Sequence, residues 1–166
     1  MTAFVATPPV VFIEELKAWL RLEHGEEDAL LHQLVRSATE MVEARLGWLL
    51  IERIVTVEGD GWDGRMAVSV SPVRRLVDAV DSDGATLNAR LEEGRRTVVT
   101  NLPDGWVRVR LLAGRYADWN AAPEVLRLAT VQLAAHLYRH RDGGDDAGLP
   151  ATVEDCLRRF RRLRMA

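Results

Sequence analysis

The sequence predicts an α+β fold in which a helical core carries an antiparallel β-rich insert and ends in a helical arm. Residues 12–47 space their apolar side chains as a helix pair does, and helical spacing returns after residue 122. Between them, residues 49–118 switch to short β-branched runs separated by turn residues. The length of 166 residues suits one domain with its own core, and we expect a single domain over 1–166.

The chain opens with a predicted extended arm and a first helix. Pro8 and Pro9 exclude a helix through residues 1–11. A helix is expected from about residue 12 to residue 23, and Gly25 is expected to end it.

The second helix is long and amphipathic. Glu26, Glu27 and Asp28 place negative charge at its start, where the helix dipole favours it, and Gly47 is well placed as its C-terminal stop. Its apolar stripe consists of Leu30, Leu31, Leu34, Ala38, Met41, Val42 and Leu46. A stripe of this kind predicts a helix that covers a core on one side.

The insert, residues 49–118, predicts five or six antiparallel strands. The candidate strands are IERIVTV, MAVSVS, VRRLVDAV, RTVVTN and WVRVRLL. Turn residues separate them at 59–64, 71–72, 82–84 and 102–105. We expect Asp83-Gly84 to be the best hairpin turn. GDGWDG at 59–64 lacks the ligand spacing of a calcium loop and predicts a β-turn.

Two further helices and a linker complete the prediction. Pro123 is expected to open a core helix within residues 122–141, with Val125, Leu126, Ala129, Leu133 and Leu137 facing inward. Residues 142–150, rich in glycine and aspartate, predict a flexible linker. The arm, residues 151–166, predicts a helix from about Thr152, as N-cap, to Arg164.

The composition and motifs give no support for a catalytic, cofactor or metal site. No glycine-rich phosphate loop or nucleophile motif occurs, so we predict no catalytic residue and no cofactor. His136 and His140 share a helical face but have no obvious third ligand, which favours a solvated helix end over a metal site. The single cysteine, Cys156, excludes an internal disulfide. No apolar run approaches a membrane span, so we expect a cytoplasmic origin and no membrane partner.

Opposite ends of the chain carry opposite charge. Residues 151–166 are basic, and residues 1–50 are acidic. The acidic part contains a cluster that we consider a candidate channel-facing or inter-subunit surface: Glu14, Glu15, Glu26, Glu27 and Asp28. Ends of opposite sign favour attraction between neighbouring copies or steering of the tail towards an acidic partner.

The arm combines a narrow apolar stripe with flanking arginines. The stripe is Leu157, Phe160 and Leu163, and the arginines are Arg158, Arg159, Arg161, Arg162 and Arg164. Three interpretations remain open. The helix folds onto its own domain, docks as a detachable arm into a groove on a partner, or contacts nucleic-acid phosphates. The preceding linker favours docking, because a tethered segment reaches outside its own fold.

The order of these pieces resembles the head–tail connector (adaptor) proteins of tailed phages and gene transfer agents. The resemblance covers most of the chain. The N-terminal part of the resemblance is LKAWLRLEHGEEDALLHQLVRSATEMVEARLGWLL, with its Leu20-Arg21, Glu27-Asp28 and Glu43-to-Gly47 segments. The later matches are Ser71-Pro72-Val73, LLAGRYADW at 111–119, Pro123, LYRHRD at 137–142, and Leu149-Pro150 before the arginine-rich tail.

This resemblance implies a structural role in a virion or phage-like particle. Such adaptors form a ring, commonly of twelve copies, beneath the portal, extend the DNA channel and receive a stopper or tail protein. The resemblance implies assembly in the bacterial cytoplasm, a location at the head–tail junction, and portal binding by the segment from Leu149 to Ala166. An acidic lumen would let double-stranded DNA pass without sequence-specific contact. The alternative from another class is a small DNA-binding protein that uses the arginine-rich C-terminal helix.

Overall fold

A computed structural model of the protein describes residues 2–4, 12–92, 97–141 and 149–161. The chain divides into two compact units. The sheet unit comprises Met1–Thr7 and Ile51–Arg115, and the helical unit comprises Pro8–Leu50 and Tyr116–Ala166. The predicted α+β fold class is confirmed, and the predicted insert, 49–118, corresponds closely to the second segment of the sheet unit.

The helical unit contains α1 (Ile13–Leu20), α2 (Asp28–Leu46), α3 (Glu124–Arg139) and α4 (Ala151–Arg158). Helix α3 packs against the other three. The core of the helical unit is built from one apolar face of each helix: Leu16 of α1; Leu31, Val35, Ala38, Val42 and Leu46 of α2; Leu126, Ala129 and Leu133 of α3; and Val153 and Leu157 of α4. Burial of these side chains is the main stabilising contribution of the unit. Among the described helices, none is both long and apolar enough to cross a membrane.

Two of the predicted helix limits are confirmed. Helix α2 ends at Gly47, whose positive φ of 75° suits glycine and whose N–H donates to the Glu43 carbonyl at 2.9 Å. Helix α3 begins directly after Pro123, as predicted. Val125 and Leu137, predicted to face inward, are half-buried.

Other predicted helix limits are wrong. Helix α1 ends at Leu20 instead of at about residue 23, because Arg21 adopts a left-handed conformation and the Leu22 N–H donates back to the Lys17 carbonyl at 3.0 Å. Helix α4 has Pro150 as its N-cap, so Thr152 lies within the helix. It ends at Arg158, well before Arg164, and residues 162–166 lie outside the described residues.

The sheet unit contains two antiparallel sheets. The larger one has the order β1 (Thr2–Phe4), β2 (Arg53–Gly61), β7 (Gly105–Ala113) and β4 (Val73–Asp81). The smaller one has the order β3 (Arg65–Ala67), β6 (Thr97–Thr100) and β5 (Ala89–Leu91). Residues 2–4, part of the predicted N-terminal extended segment, therefore form an edge strand. Residues 5–11 and the linker residues 142–148 lie outside the described part of the chain.

The central strands of the larger sheet alternate between a buried and an accessible face. Val55 and Val57 of β2 and Val107 and Val109 of β7 are buried, as the period of two requires. On the other face, charged residues pair across strands: Arg108 with Glu58 at 2.6 Å, and Arg110 with Asp78. This charged face, which we call the outer ladder, follows the antiparallel register.

The turn chemistry differs from the prediction at one point. Asp83-Gly84 does form a turn. The chain after this turn pairs with β4 only through the isolated bridge between Val80 and Thr86, so the turn does not join two full strands. The hairpin that joins β2 to β3 turns at Asp63-Gly64, within the predicted turn at 59–64. Strand β5 was not among the predicted runs.

Gly114 follows β7 where the backbone passes very close to another segment of the sheet unit. Its φ is +142°, and its N–H donates to the Pro72 carbonyl at 2.9 Å. A Cβ atom here would lie 2.5 Å from the backbone of Glu52 and of Ile51. Only glycine fits this position without a backbone shift.

Candidate interaction surfaces

The described part of the predicted portal-binding arm begins as a packed helix. Leu157 is 0% exposed within the helical unit, and Phe160 is half-buried. Arg158, Arg159 and Arg161 are exposed, whereas Arg162, Leu163 and Arg164 lie outside the described residues. This packing agrees with the interpretation in which residues 151–158 fold onto their own domain, and docking on a portal stays a prediction.

Two polar contacts fix the arm to α2 and to Trp48, which lies two residues beyond α2. Arg45 Nε donates to Glu154 Oε2 at 2.6 Å, and a second bond from Arg45 to the same carboxylate makes the pair bidentate. The Trp48 indole N–H donates to the Phe160 carbonyl at 3.1 Å. The basic face of α4 is partly neutralised, because Arg158 pairs with Asp155 at 2.7 Å. The exposed Arg159 is therefore the clearest cationic contact point of the described arm.

The Arg45–Glu154 pair makes stability depend on pH. The hydrogen bond from Arg45 holds the pKa of Glu154 below its ordinary value of 4.5. A lowered folded-state pKa contributes stability above the unfolded-state pKa, and this contribution is lost as the pH falls through the folded-state pKa. We expect the wild type to lose more stability than Glu154→Gln between about pH 5.5 and about pH 3, in urea titrations. Glu26→Gln, at an exposed position, is the control, and its stability should vary with pH as that of the wild type does. If the free energy of unfolding changed equally with pH in all three proteins, the prediction would be contradicted.

The predicted acidic cluster is largely paired within the helical unit. Glu15 accepts the Trp119 indole N–H at 2.9 Å and a bond from Arg127 at 2.7 Å. Asp28 pairs with Lys17 at 2.6 Å, and this contact raises the pKa of Lys17. The carboxylate therefore serves to hold α1 and the start of α2 together.

The third paired carboxylate of the cluster joins α2 to α3. Glu27 accepts a hydrogen bond from the Tyr138 hydroxyl and one from Arg141 at 2.8 Å. The Tyr138 bond, followed by the Arg141 bond, lowers the pKa of Glu27. Glu14 and Glu26 are exposed. The cluster thus presents less negative charge than its sequence indicates, and a channel-facing role stays a prediction.

A surface that the sequence analysis missed surrounds Trp19. Trp19 is 44% exposed and Leu128 is 41% exposed. Two grooves of about 250 Å³ each meet at Trp19. One is lined by Glu15, Trp19, Glu124, Arg127, Leu128 and Val131, and the other by Trp19, Gln132, His136, Arg139, His140, Pro150, Thr152 and Val153. We call this the Trp19 surface.

The Trp19 surface contains two buried polar atoms with unmet hydrogen-bonding capacity. Arg127 Nε and Gln132 Oε1 have no hydrogen-bond partner among the described residues. Buried polar atoms are almost always paired in native proteins. A water molecule or an incoming chain would satisfy these two atoms.

The second surface that the sequence analysis missed is the tip of the β2–β3 hairpin. Trp62 is 78% exposed and immediately precedes Asp63 and Gly64, which have φ values of 52° and 68°. Trp62 and Arg65 exchange two backbone hydrogen bonds of 2.9 and 3.0 Å, so the tip is a two-residue turn of type I′. The motif GDGWDG was the available signal, but exposure of its tryptophan depends on strand pairing that the motif does not specify.

Neighbouring backbone holds the Trp62 tip rigid. The Asp63 N–H donates to Asp104 Oδ1 at 2.9 Å. The Gly64 N–H donates to the Pro103 carbonyl at 2.6 Å, and the Gly64 carbonyl accepts from Thr100 at 2.8 Å. A side chain at Gly64 would lie 2.9 Å from the Thr100 carbonyl oxygen, which explains the glycine. The indole is therefore displayed from a fixed turn.

The histidine pair considered as a metal site lies at the end of α3. The rings of His136 and His140 are tilted by 35° relative to each other, with centroids 4.1 Å apart. Within the described ranges, no group of three histidine, cysteine, aspartate or glutamate side chains is arranged to hold a metal ion. The pair contributes instead to the lining of the Trp19 surface.

Comparison with known proteins gives matches among solved structures. No protein-family model matches the sequence, and no curated protein matches it. A chain from the neck of an empty gene transfer agent particle, computed with C6 symmetry, matches with a TM-score of 0.75 at 24% identity. A chain from the neck of a native particle, computed with C12 symmetry, matches with a TM-score of 0.71 at 24% identity.

A third match comes from the virion of a native gene transfer agent particle, with a TM-score of 0.73 at 27% identity. Each of the three alignments covers 100% of this chain and 98% of the other chain. The similarity therefore includes the sheet unit and the helical unit. It confirms the resemblance of this chain to the head–tail connector proteins.

Proposed function

We propose that this chain is a structural subunit of the neck of a gene transfer agent or phage-like particle, at the head–tail junction. The observation that carries the proposal is the full-length similarity to chains of such necks. A role without catalysis agrees with this similarity, since those chains are parts of a particle.

The proposed assembly is a ring, with twelve copies as the expected number. The C6 and C12 symmetry of the neck structures supports a ring. Closed rings with head-to-tail contacts require two different complementary patches on each subunit. The ring would lie beneath the portal, continue the DNA channel, and provide the attachment surface for a stopper or tail protein.

The proposed portal contact is the basic C-terminal part of the arm. The contacts of Arg45 and Trp48 hold the described part of this arm, residues 151–161, in the helical unit. Arg159 is exposed in this part. The residues that follow, including Arg162 and Arg164, add cationic charge for an acidic groove on a partner.

The first experiment removes the chain from the particle. We expect particles made without this chain to have DNA-filled heads that carry no tails, because the attachment surface would be missing. Electron microscopy of the particles, with complementation by the full-length chain as the control, provides the measurement. Normal tailed particles in its absence would overturn the proposed function.

A second experiment addresses portal docking alone. Deletion of residues 150–166 would remove the buried Leu157, so truncation of residues 162–166 is the better variant. It is combined with Arg159→Glu, and Arg90→Glu, an exposed charge reversal on β5, serves as the matched control. We expect loss of the chain from the particles only for the arm variants. Normal incorporation of the arm variants would exclude docking by the arm.

The DNA-binding alternative makes a distinct prediction. Affinity for duplex DNA through five arginine–phosphate contacts would weaken by about 500-fold between about 50 and about 200 mM salt. We expect the isolated subunit to bind duplex DNA only feebly, since Arg158 and Arg161 have carboxylate partners. Tight and strongly salt-dependent binding in fluorescence anisotropy would favour the alternative.

A further inference from the structure

We infer that Trp62 of one copy inserts into the Trp19 surface of the neighbouring copy and forms the repeating contact of the ring. This inference rests on the proposed ring. It assigns the two complementary patches of each subunit to the β2–β3 tip and to the face formed by α1, α3 and the start of α4.

The inserting side is a preorganised aromatic anchor in acidic surroundings. The turn at Asp63-Gly64 has both left-handed residues, and its backbone is tied to the segment 100–104 by hydrogen bonds of 2.6–2.9 Å. A rigid anchor loses little conformational entropy on binding, and tryptophan is the residue type most enriched among interface anchors. Asp60 and Asp63 are exposed next to Trp62 in the chain, and Asp104 is bonded to the Asp63 N–H, so negative charge lies close to the tip. Arg65, the cross-strand neighbour of Trp62, is paired with Glu92 at 3.1 Å.

The receiving side is apolar, and its second groove has a basic edge. Trp19 and Leu128 are the exposed apolar side chains of the grooves. Arg139 and His140 are exposed at the end of α3, where they line the second groove, whereas the exposed Glu124 lines the first. The basic edge of the second groove complements the acidic tip, and such complementarity fixes the register of an interface.

Hydrogen bonding also favours this fit. An indole N–H needs an acceptor when tryptophan becomes buried. Gln132 Oε1 is a buried acceptor in the second groove and has no partner within the described ranges. Insertion of Trp62 would cover Trp19 and would supply the missing donor once the Gln132 side chain turns its buried oxygen into the groove. These features fit a second copy of this chain, because each copy carries the tip and the groove once.

Intermolecular cross-linking in assembled particles tests the inference. Two single-cysteine subunits, Asp60→Cys and Leu128→Cys, are made in a Cys156→Ser background and co-expressed in particle-producing cells. Asp60 is exposed beside Trp62, so this variant keeps the indole. A short bismaleimide is then added to purified particles. We expect a covalent dimer of this chain, which can arise only between copies. The matched control replaces Asp60→Cys with Ile54→Cys, which is 41% exposed on β2 and should give no dimer with Leu128→Cys.

The outcomes separate this inference from the proposed function. Particles that contain the ring but give no Asp60→Cys to Leu128→Cys dimer would overturn the inference and leave the function intact. Cross-linking of Asp60→Cys to a different particle protein would also overturn it. Absence of the chain from purified particles would overturn the proposed function as well.

A truncation variant provides an independent measure. Trp62→Ala should weaken the contact between copies by about thirty-fold, as expected for an interface anchor. Its thermal unfolding should match the wild type, because the side chain is exposed. The readout is the fraction of particles that retain this chain, with Ile54→Ala as the control. Equal retention for Trp62→Ala and Ile54→Ala would contradict the contact.

Discussion

Replacement of Leu157 by alanine is expected to lower the free energy of unfolding of the helical unit by about 2–5 kcal/mol. Leu157 is 0% exposed and lies on the α4 face that packs against α3. Truncation removes apolar contacts and leaves a cavity, because neighbouring helices relax only partially. Urea unfolding followed by circular dichroism at the helix band would measure the loss.

The matched control for this prediction is Arg159→Ala. Arg159 follows α4 directly and is exposed, so its truncation should change stability by less than about 0.5 kcal/mol. Equal unfolding curves for Leu157→Ala and the wild type would mean that α4 detaches from the helical unit in solution. The arm would then be free along its whole length, and the detachable-arm interpretation would regain support.

The second large effect is expected at Gly114. Substitution by alanine should destabilise the sheet unit by about 3–5 kcal/mol, because strained backbone and steric overlap act together. The new Cβ would meet backbone atoms of Glu52 and Ile51 at 2.5 Å, and backbone has no alternative rotamer to adopt. The φ of +142° adds a conformational cost for any other residue. Thermal or urea unfolding of the sheet unit, followed by near-ultraviolet circular dichroism, provides the measurement.

Gly84→Ala separates the two causes. Gly84 has a φ of +82°, but a Cβ there would have nothing within 4 Å. We expect only the conformational cost, about 1 kcal/mol. A Gly114→Ala protein as stable as Gly84→Ala would show that the segments at 51–52 and 114 separate easily, which would contradict the close approach.

The order of the elements was predictable because the spacing of apolar residues changes from helical to alternating near residue 49 and returns to helical near residue 122. The alternation of β2 and β7 and the apolar stripe of α2 are both local patterns. Gly47 and Pro123 also act locally, through backbone conformation. Such signals require no knowledge of the rest of the chain.

The surfaces could not be predicted from the same patterns. Glu15 and Glu27 belong to an acidic cluster in the sequence, yet their partners Arg127 and Arg141 lie more than a hundred positions away. Pairing across such a distance depends on how helices pack. Likewise, the Leu157 stripe was compatible with a free arm or a core helix, and only the presence of α3 beside it decides between them.

The outer ladder has a consequence for any polyanion that touches the sheet. Arg108 and Arg110 stand on adjacent outward positions of β7, and each is already matched to a carboxylate on a neighbouring strand. A duplex that slid past would have to break these matches before it gained phosphate contacts. A polyanion that meets this face would therefore gain little attraction from Arg108 and Arg110.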